Sequence, residues 1–363
     1  MTSTPARTRH LELQAAVEEI AAAGWAGVQV RVNGPDGEWT GSAGRTALDS
    51  DAPPPTDGHF RIGSNTKTFT ATLVLLLVAD GLLGLDDPVD DHLPAYGLDR
   101  RITVRMLLQH TSGLFNHTGE YYEDGSTAPG IPWEGQAWVD NLHLTYRPEE
   151  LVRLALGKPS RFEPGTGWSY SNTNYVLARL LVEQLTGRPY AEEMRRRILT
   201  PLGLTGTLVP DASPELPEPH AHGYYTYQDG EEWRTVDVTR SDPSWISAAG
   251  DMVSTTRDLH LFFSALLGGR LLPAALLAEM RTPHTTFAYG LGLIVEETEA
   301  GTLYTHNGGF WGWGALMYGS PDGSTTLTAS LTTGDARLEL PQAAEAFAKV
   351  QQLLLPLAFP PKP

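Results

Sequence analysis

The stretch Phe60-Arg-Ile-Gly-Ser64-Asn-Thr-Lys67-Thr-Phe-Thr-Ala-Thr-Leu-Val-Leu-Leu-Leu-Val78 places a serine and a lysine at the start of a strongly apolar segment. That segment is apolar on nearly every side, which predicts a buried helix over residues 64–83. Ser64 and Lys67 are three positions apart, so they would share one helix face, with Cβ atoms about 5–6 Å apart. A serine becomes a nucleophile when a base takes its proton, and a lysine serves as that base if burial lowers its pKa. The pair also fits an N-cap serine beside a solvated lysine.

A second motif, Tyr170-Ser-Asn172, lies in a loop that follows the turn Pro164-Gly165 and precedes a predicted helix over 174–186. The Tyr170 phenol could take or relay the serine proton. The Asn172 amide could orient Lys67 or a substrate carbonyl. The same residues also fit a packing tyrosine and a helix cap, so this motif alone leaves both interpretations open.

The third motif, Tyr304-Thr-His306-Asn-Gly308-Gly309, falls on a predicted strand late in the chain. His306 would face a cleft as a cation or a hydrogen-bond donor. Gly308 and Gly309 would let a substrate backbone come close, and the Gly309 amide could join that of Ser64 in an oxyanion hole. The alternative is a hairpin turn that carries a surface histidine.

Strand patterns lie at both ends of the chain, with helices between them. The predicted strands cover 27–33, 39–43, 291–296, 302–306, 314–318 and 325–331, and further helices cover 11–23, 102–109, 148–156, 190–199, 256–267 and 340–355. This order predicts an α/β (α+β) protein that forms a single catalytic unit over 1–363. An antiparallel sheet flanked by helices would form an α/β lobe from about 1–66 and 240–363. Residues 67–239 would form a mostly helical lobe, with the ligand in the cleft between the two.

Composition excludes several classes of function. The formal net charge of −17 repels nucleic-acid phosphates and anionic membranes, so we expect neither partner. The chain has no cysteine, and His220-Ala-His222 has no evident third ligand, so we expect no metal. The apolar run over 73–78 is too short to span a bilayer. No signal-peptide pattern follows the N-terminus, so we expect a cytoplasmic location, or secretion if a leader has been removed.

In this order and at these separations, the three motifs resemble those of the serine D-alanyl-D-alanine carboxypeptidase and class C β-lactamase family, and most of all the soluble actinomycete DD-peptidase. Matching stretches also occur at 107–114, 247–250, 254–259 and 289–292, and the resemblance extends from about 27 to about 355. It implies a β-lactamase/transpeptidase-like fold with Ser64 between the two lobes. It also implies that the protein uses no metal and no organic cofactor.

The resemblance further implies which residues border the substrate. Trp245 would form the aromatic wall of the acyl pocket, Thr118 would lie in a loop at the cleft, and Asn307 and Gly308 would follow the substrate along the strand. The family usually has hydroxyl groups where this chain has Asn307 and Gly309. The DD-peptidase also has an arginine that clamps the substrate carboxylate, a contact worth about 1.5–3 kcal/mol, and segment 293–296 carries no cation.

We therefore predict a penicillin-binding-protein-like serine hydrolase that acts through an acyl-enzyme on amide or ester carbonyls of a small molecule or peptide, with a D-residue at the acyl position. Ser64 would attack the carbonyl while Lys67 and Tyr170 move its proton. Asn172 and His306 would orient the substrate. The missing clamp favours uncharged leaving groups over strict carboxypeptidase action. An esterase, a β-lactamase or a peptide-cyclising acyl transferase would use the same fold, and a non-catalytic binding module is the alternative of another class.

Overall fold

A six-stranded antiparallel sheet organises the computed structural model, which describes residues 4–122, 124–336 and 340–361. The strands are β1 (Gly27–Gly34), β2 (Gly37–Gly44), β3 (Phe60–Arg61), β4 (Glu120–Tyr121), β5 (Thr127–Ala128), β6 (Tyr224–Asp229), β7 (Glu232–Asp237), β8 (Val253–Ser254), β9 (Ile294–Thr298), β10 (Gly301–Phe310), β11 (Trp313–Gly319) and β12 (Thr326–Thr332). The order in the large sheet is β2-β1-β12-β11-β10-β9, while β3–β8, β4–β5 and β6–β7 form separate pairs. The chain thus brings its first and last strands together at the centre of one sheet.

Helices cover both faces of this sheet and fill the middle of the chain. They are α1 (Thr4–Ala22), α2 (Thr66–Ala79), α3 (Val89–His92), α4 (Val104–Gln109), α5 (Gly135–Asp140), α6 (Pro148–Leu156), α7 (Asn172–Thr186), α8 (Tyr190–Met194), α9 (Thr200–Leu202), α10 (Thr256–Leu267), α11 (Ala274–Arg281) and α12 (Leu340–Ala358). Short 3-10 turns occur at Gly63–Asn65, Pro94–Tyr96 and Ser247–Ala249, and a π turn at Arg195–Leu199. The predicted α/β class, with an antiparallel sheet flanked by helices, is confirmed.

Successive side chains of the central strands point to opposite faces of the sheet, and each face carries its own apolar core. Val28, Val30 and Val32 of β1 pack with Val17 of α1 and Leu354 of α12 on one face of the sheet. This is the face that period-two patterning selects, because successive strand residues point to opposite sides. The second and larger core lies on the other face and includes α2, α7 and α10.

Helix α2, which begins just after Ser64, is buried within this second core. Phe69 of α2 stacks on Phe262 of α10 with ring centroids 3.6 Å apart. The Thr328 hydroxyl of β12 in turn donates to the Thr256 carbonyl at the start of α10, at 2.8 Å. The sheet and α10 therefore hold α2, and with it the turn that contains Ser64, in a fixed position against β10.

Several predicted boundaries were wrong for identifiable reasons. The helix predicted over 64–83 is α2, Thr66–Ala79, and Ser64 belongs to the preceding 3-10 turn. β9 begins at Ile294 rather than at 291, because Gly292 has φ +79° and a Cβ there would overlap that of Ala71. β10 continues beyond 306 to Phe310, because its pairing with β11 extends that far.

Other elements did not appear in the sequence-based prediction, chiefly the β6–β7 hairpin and helices α5 and α11. The division into lobes at about 66 and 240 stays a prediction, and positions 1–3 and 362–363 of the predicted unit lie outside the described residues. None of the helices in the described part of the chain is long and apolar enough to cross a membrane.

Candidate active site

Two glycine-containing segments touch beside Ser64. Gly63 has φ +50°, and a Cβ there would lie only 2.7 Å from the Gly309 nitrogen. A Cβ on Gly308 would overlap the carbonyl oxygen of Ile62 and lie 3.2 Å from the Ser64 nitrogen. Glycine is required at both positions because two backbones meet without room for a side chain. This contact places the amides of Ser64 and Gly309 beside each other.

Ser64 Oγ lies between two groups that can move its proton. The Tyr170 hydroxyl donates a hydrogen bond to Ser64 Oγ at 2.8 Å, and Lys67 Nζ lies 3.2 Å from the same oxygen. Lys67 Nζ also donates to Asn172 Oδ1 at 2.8 Å and to the Ala249 carbonyl at 2.7 Å. The predicted residues Ser64, Lys67, Tyr170 and Asn172 therefore form one continuous hydrogen-bond network.

Burial sets the protonation of this network. It lowers the pKa of the fully buried Lys67 ammonium far below its usual value, and it raises the pKa of the Tyr170 phenol, with the Ser64 hydrogen bond opposing that rise. A neutral amine has two protons to donate and one lone pair. Its two protons match the acceptors on Asn172 and Ala249, and its lone pair is then free to accept the Ser64 proton. The arrangement favours Lys67 as the base and Tyr170 as a proton donor.

His306 differs from the sequence-based expectation of a cation or a donor to substrate. Its Nδ1 lies 2.8 Å from the Asn307 carbonyl, which can only accept, so Nδ1 carries the proton. Its Nε2 then accepts from the Tyr289 hydroxyl at 2.9 Å. Burial is the main cause that lowers the pKa of His306 to about 3. His306 is therefore a neutral, fully engaged side chain that supports Tyr289.

The predicted substrate-contact residues surround this centre at different depths. Asn172 Nδ2 donates to Thr118 Oγ1 at 3.2 Å, which places Thr118 directly beside the catalytic network. Trp245 lies 5.6 Å from the Phe310 ring and lines a cavity of about 970 Å³ together with Gly308 and Asn307. The Asn307 side chain alternates with that of His306, so it points to the other face of β10.

The comparison with known proteins agrees with this geometry. Residues 13–351 match the family model described as Beta-lactamase. The chain belongs to the β-lactamase family. Its predicted family resemblance is thereby confirmed over almost the whole chain.

Individual members of the β-lactamase family show how closely the fold is shared. The structure of a D-stereospecific amidohydrolase from Streptomyces sp. is 37% identical, with a TM-score of 0.81, and the match covers 93% of this chain and 98% of that one. A D-amino acid amidase from Ochrobactrum anthropi SV3, complexed with L-phenylalanine amide, is 29% identical, with a TM-score of 0.78 and coverage of 96% and 98%. Penicillin-binding protein 4* of Bacillus subtilis is 29% identical over 79% of this chain. The chain spans only 63% of the length of that relative.

Three positioning groups of this family member were missed by sequence reasoning. Tyr289, although quoted within a matching stretch, was not assigned to the site, yet it holds His306. Asn116 Oδ1 accepts from the Asn172 nitrogen at 3.0 Å, and His117 Nε2 lies 3.0 Å from the Trp245 carbonyl. Only Tyr289 lay in a recognisable motif, so only it could have been found from the sequence.

His110 lies at the centre of an aromatic cluster behind Tyr170. Its ring centroid is 4.4 Å from that of Tyr170 and 4.9 Å from that of Tyr289. Burial lowers the pKa of His110 well below its usual value, so it is neutral. Trp168 and Phe287 stack at 4.1 Å on the outer side of this cluster. The surroundings of Tyr170 are thus aromatic and uncharged.

Across residues 4–122, 124–336 and 340–361, no group of three histidine or acidic residues is arranged to hold an ion. His220 and His222 lie with ring centroids 5.8 Å apart, and His222 Nδ1 pairs with Asp237 at 2.7 Å.

Proposed function

We propose that this protein is a serine hydrolase that forms an acyl-enzyme on Ser64 and cleaves amides or esters of D-configured acyl groups. The observation that carries the proposal is the position of Ser64 Oγ, 2.8 Å from the Tyr170 hydroxyl and 3.2 Å from Lys67 Nζ. A hydroxyl held between an acid and a base is the arrangement that nucleophilic catalysis needs.

In the first half of the reaction, Ser64 Oγ forms a bond to the substrate carbonyl carbon while its proton passes to Lys67 Nζ. The amides of Ser64 and Gly309 stabilise the negative oxygen of the tetrahedral intermediate. Asn172 and the Ala249 carbonyl then hold the Lys67 ammonium. Tyr170 protonates the leaving nitrogen or oxygen and regains a proton from Lys67.

In the second half, water attacks the acyl-enzyme carbonyl. The same groups act in the reverse direction, so Lys67 and Tyr170 accept a water proton and return one to Ser64 Oγ. The acid product leaves and the resting hydrogen bonds are restored. An amine that replaced water would give acyl transfer with the same proton balance.

The surroundings of Tyr170 support an uncharged leaving group. His306 is neutral, and Tyr289, Trp168 and Phe287 present rings at this end of the site. A free carboxylate would lose its hydration there without gaining a charged partner from these side chains. Amide or ester cleavage therefore fits this site better than carboxypeptidase action. The likeness to a D-stereospecific amidohydrolase and to a D-amino acid amidase supports a D-configured acyl residue.

The test is turnover of D-phenylalanine amide and its methyl ester against their L-enantiomers. We expect turnover of the D-forms and its loss in Ser64→Ala, while Ser126→Ala, at an exposed loop position, serves as the matched control. Benzylpenicillin followed by intact-protein mass separates the neighbouring activities. A lasting adduct on Ser64 indicates a penicillin-binding peptidase, and consumption of the drug indicates a β-lactamase. Amide turnover that survives Ser64→Ala would overturn the proposal.

A further inference from the structure

A large aromatic cavity begins at the oxyanion strand and extends away from the catalytic network. It has a volume of about 970 Å³ and extends from β10, the β6–β7 hairpin and the start of α5 past β11 and segment 333–336 to α12 and Trp25. Its walls are aromatic at Trp133, Tyr225, Trp245, Phe310 and Trp311. The chemistry described above uses Trp245 alone of these residues, and only as a wall.

The position of the cavity along β10 assigns it to one side of the scissile bond. His306 and Tyr289 lie at the Tyr170 end of the site, where the leaving group is protonated. Gly309 is three residues further along the strand, about 10 Å away at about 3.4 Å per residue. Phe310 follows immediately, so the cavity lies on the side opposite the leaving group. A substrate whose carbonyl oxygen sits at Gly309 would direct its acyl chain into it.

The aromatic walls are fixed in place by contacts among themselves. Trp311 lies 5.5 Å from the Trp133 ring and 4.3 Å from the Tyr225 ring, and its indole N–H donates to the Trp133 carbonyl. The Tyr225 hydroxyl accepts from the Gly135 nitrogen at 2.7 Å. A set of side chains held in this way is a preformed surface, which reduces the entropy cost of binding an apolar chain.

The size and charge of the cavity define its occupant. Pockets of about 300–1,000 Å³ hold drug-sized ligands, so this cavity exceeds what one amino-acid residue would fill. Among the lining residues that the structure describes, Glu134 is the sole charged side chain. Lys67, Tyr170 and Asn172 make their hydrogen bonds to groups other than carboxylates, and the nearby buried carboxylate of Glu120 is already paired with Arg161 at 2.9 Å, so these groups offer no free carboxylate to the α-ammonium group of an amino-acid amide.

We propose that the preferred substrate is an N-blocked, peptidyl-type acyl donor with uncharged apolar or aromatic residues preceding its D-configured acyl residue. The cavity formed by β10, α5 and the β6–β7 hairpin would bind those preceding residues. This inference rests on the proposed function, which places the leaving group at the Tyr170 end of the site. It adds that the residues preceding the acyl residue are the part of the substrate that the protein recognises. Free amino-acid amides are then poor substrates, because they leave the aromatic surface unused.

The experiment compares kcat/KM for four D-phenylalanine amides. They carry a free amine, an N-acetyl group, an N-acetyl-leucyl-tryptophyl extension, or an N-acetyl-diglutamyl extension of equal length. We expect kcat/KM to rise at least about tenfold from the acetyl to the leucyl-tryptophyl substrate, as apolar pocket contacts allow. The diglutamyl substrate should gain far less. Equal values for the acetyl and leucyl-tryptophyl substrates, or an equal gain from the diglutamyl extension, would overturn the inference.

Trp311→Ala tests the cavity itself, with Trp39→Ala on β2 as the matched tryptophan control. Trp311→Ala should lose at least about tenfold more kcat/KM on the leucyl-tryptophyl substrate than on the acetyl substrate. Equal losses on both would refute the inference. Binding of the leucyl-tryptophyl peptide to Ser64→Ala, followed by intrinsic fluorescence, needs neither turnover nor a cavity variant. Binding at least tenfold tighter than that of the acetyl compound would support the cavity even if no amide is cleaved, and equal binding would exclude it.

Discussion

The contact between Gly308 and the turn before Ser64 gives the most direct test of the oxyanion geometry. In Gly308→Ala the new Cβ would overlap the Ile62 carbonyl oxygen and lie 2.9 Å from its carbon and 3.2 Å from the Ser64 nitrogen. The overlap with the oxygen is the closest contact, so β10 and the turn must separate by roughly 1–1.5 Å to reach ordinary van der Waals distances. A misplacement of about 1 Å at a reacting centre costs about 100-fold in rate, and overpacking costs about 1–3 kcal/mol of stability.

The assay for this variant measures kcat on a D-amide, the melting temperature and the rate at which a fluorophosphonate labels Ser64. Gly309→Ala is the matched control, because a Cβ at that position meets nothing within 4 Å and the backbone amide remains. We expect Gly308→Ala to lose about 100-fold in kcat and to label slowly. Gly309→Ala should lose far less. If the two variants have the same kcat, or if Gly308→Ala labels at the wild-type rate, the close approach does not position the oxyanion amides.

Three further predictions concern titratable groups. Lys67→Arg should lose at least about 1,000-fold in kcat, because an arginine does not give up its proton, and a loss below tenfold would exclude Lys67 as the base. The larger, permanently charged side chain should also lower the melting temperature, because Lys67 is fully buried. Since burial lowers the pKa of Lys67, kcat should fall at low pH as that amine is protonated. Tyr170→Phe should lower kcat about 100-fold or more without moving the pH at which this fall occurs. Burial raises the pKa of Asp251 to about 7, and neither carboxylate oxygen has a hydrogen-bond partner among the described residues. The ionised carboxylate therefore destabilises the fold. The free energy of unfolding falls as pH rises from about 4 to 7 and stays lowered at higher pH. Asp251→Asn should therefore raise the melting temperature at pH 8 and change it little at pH 4, and an equal shift at both would refute this account.

Elements with a strong local pattern could be predicted from the sequence. The alternation of Val28, Val30 and Val32 gave β1, and the predicted helix over 256–267 has the bounds of α10. Periodicity reports burial of one face, which is a local property. The β6–β7 hairpin was missed although Asp229-Gly230 lies between two alternating runs, which is a strong hairpin signal.

The geometry of the candidate site could be predicted only in part. The spacing predicted that Ser64 and Lys67 share one helix face, and the family resemblance brought Tyr170 and Asn172 to the same site. The Ala249 carbonyl that binds Lys67 could not be anticipated, because a backbone group leaves no trace in residue identity. The protonation of His306 likewise depends on burial and on Tyr289, which only tertiary packing determines.

The meeting of the Ser64 turn with the Gly308–Gly309 segment joins parts of the chain that are far apart in sequence. The turn belongs to the first quarter of the chain, whereas β10 pairs only with other late strands. A chain emerging from the ribosome therefore carries Ser64, Lys67 and Tyr170 long before it has both amides. Long-range pairing of this kind forms slowly. The growing chain would therefore lack hydrolase activity until its last strands are in place, so a partly folded chain would not react with acyl groups that the complete site excludes.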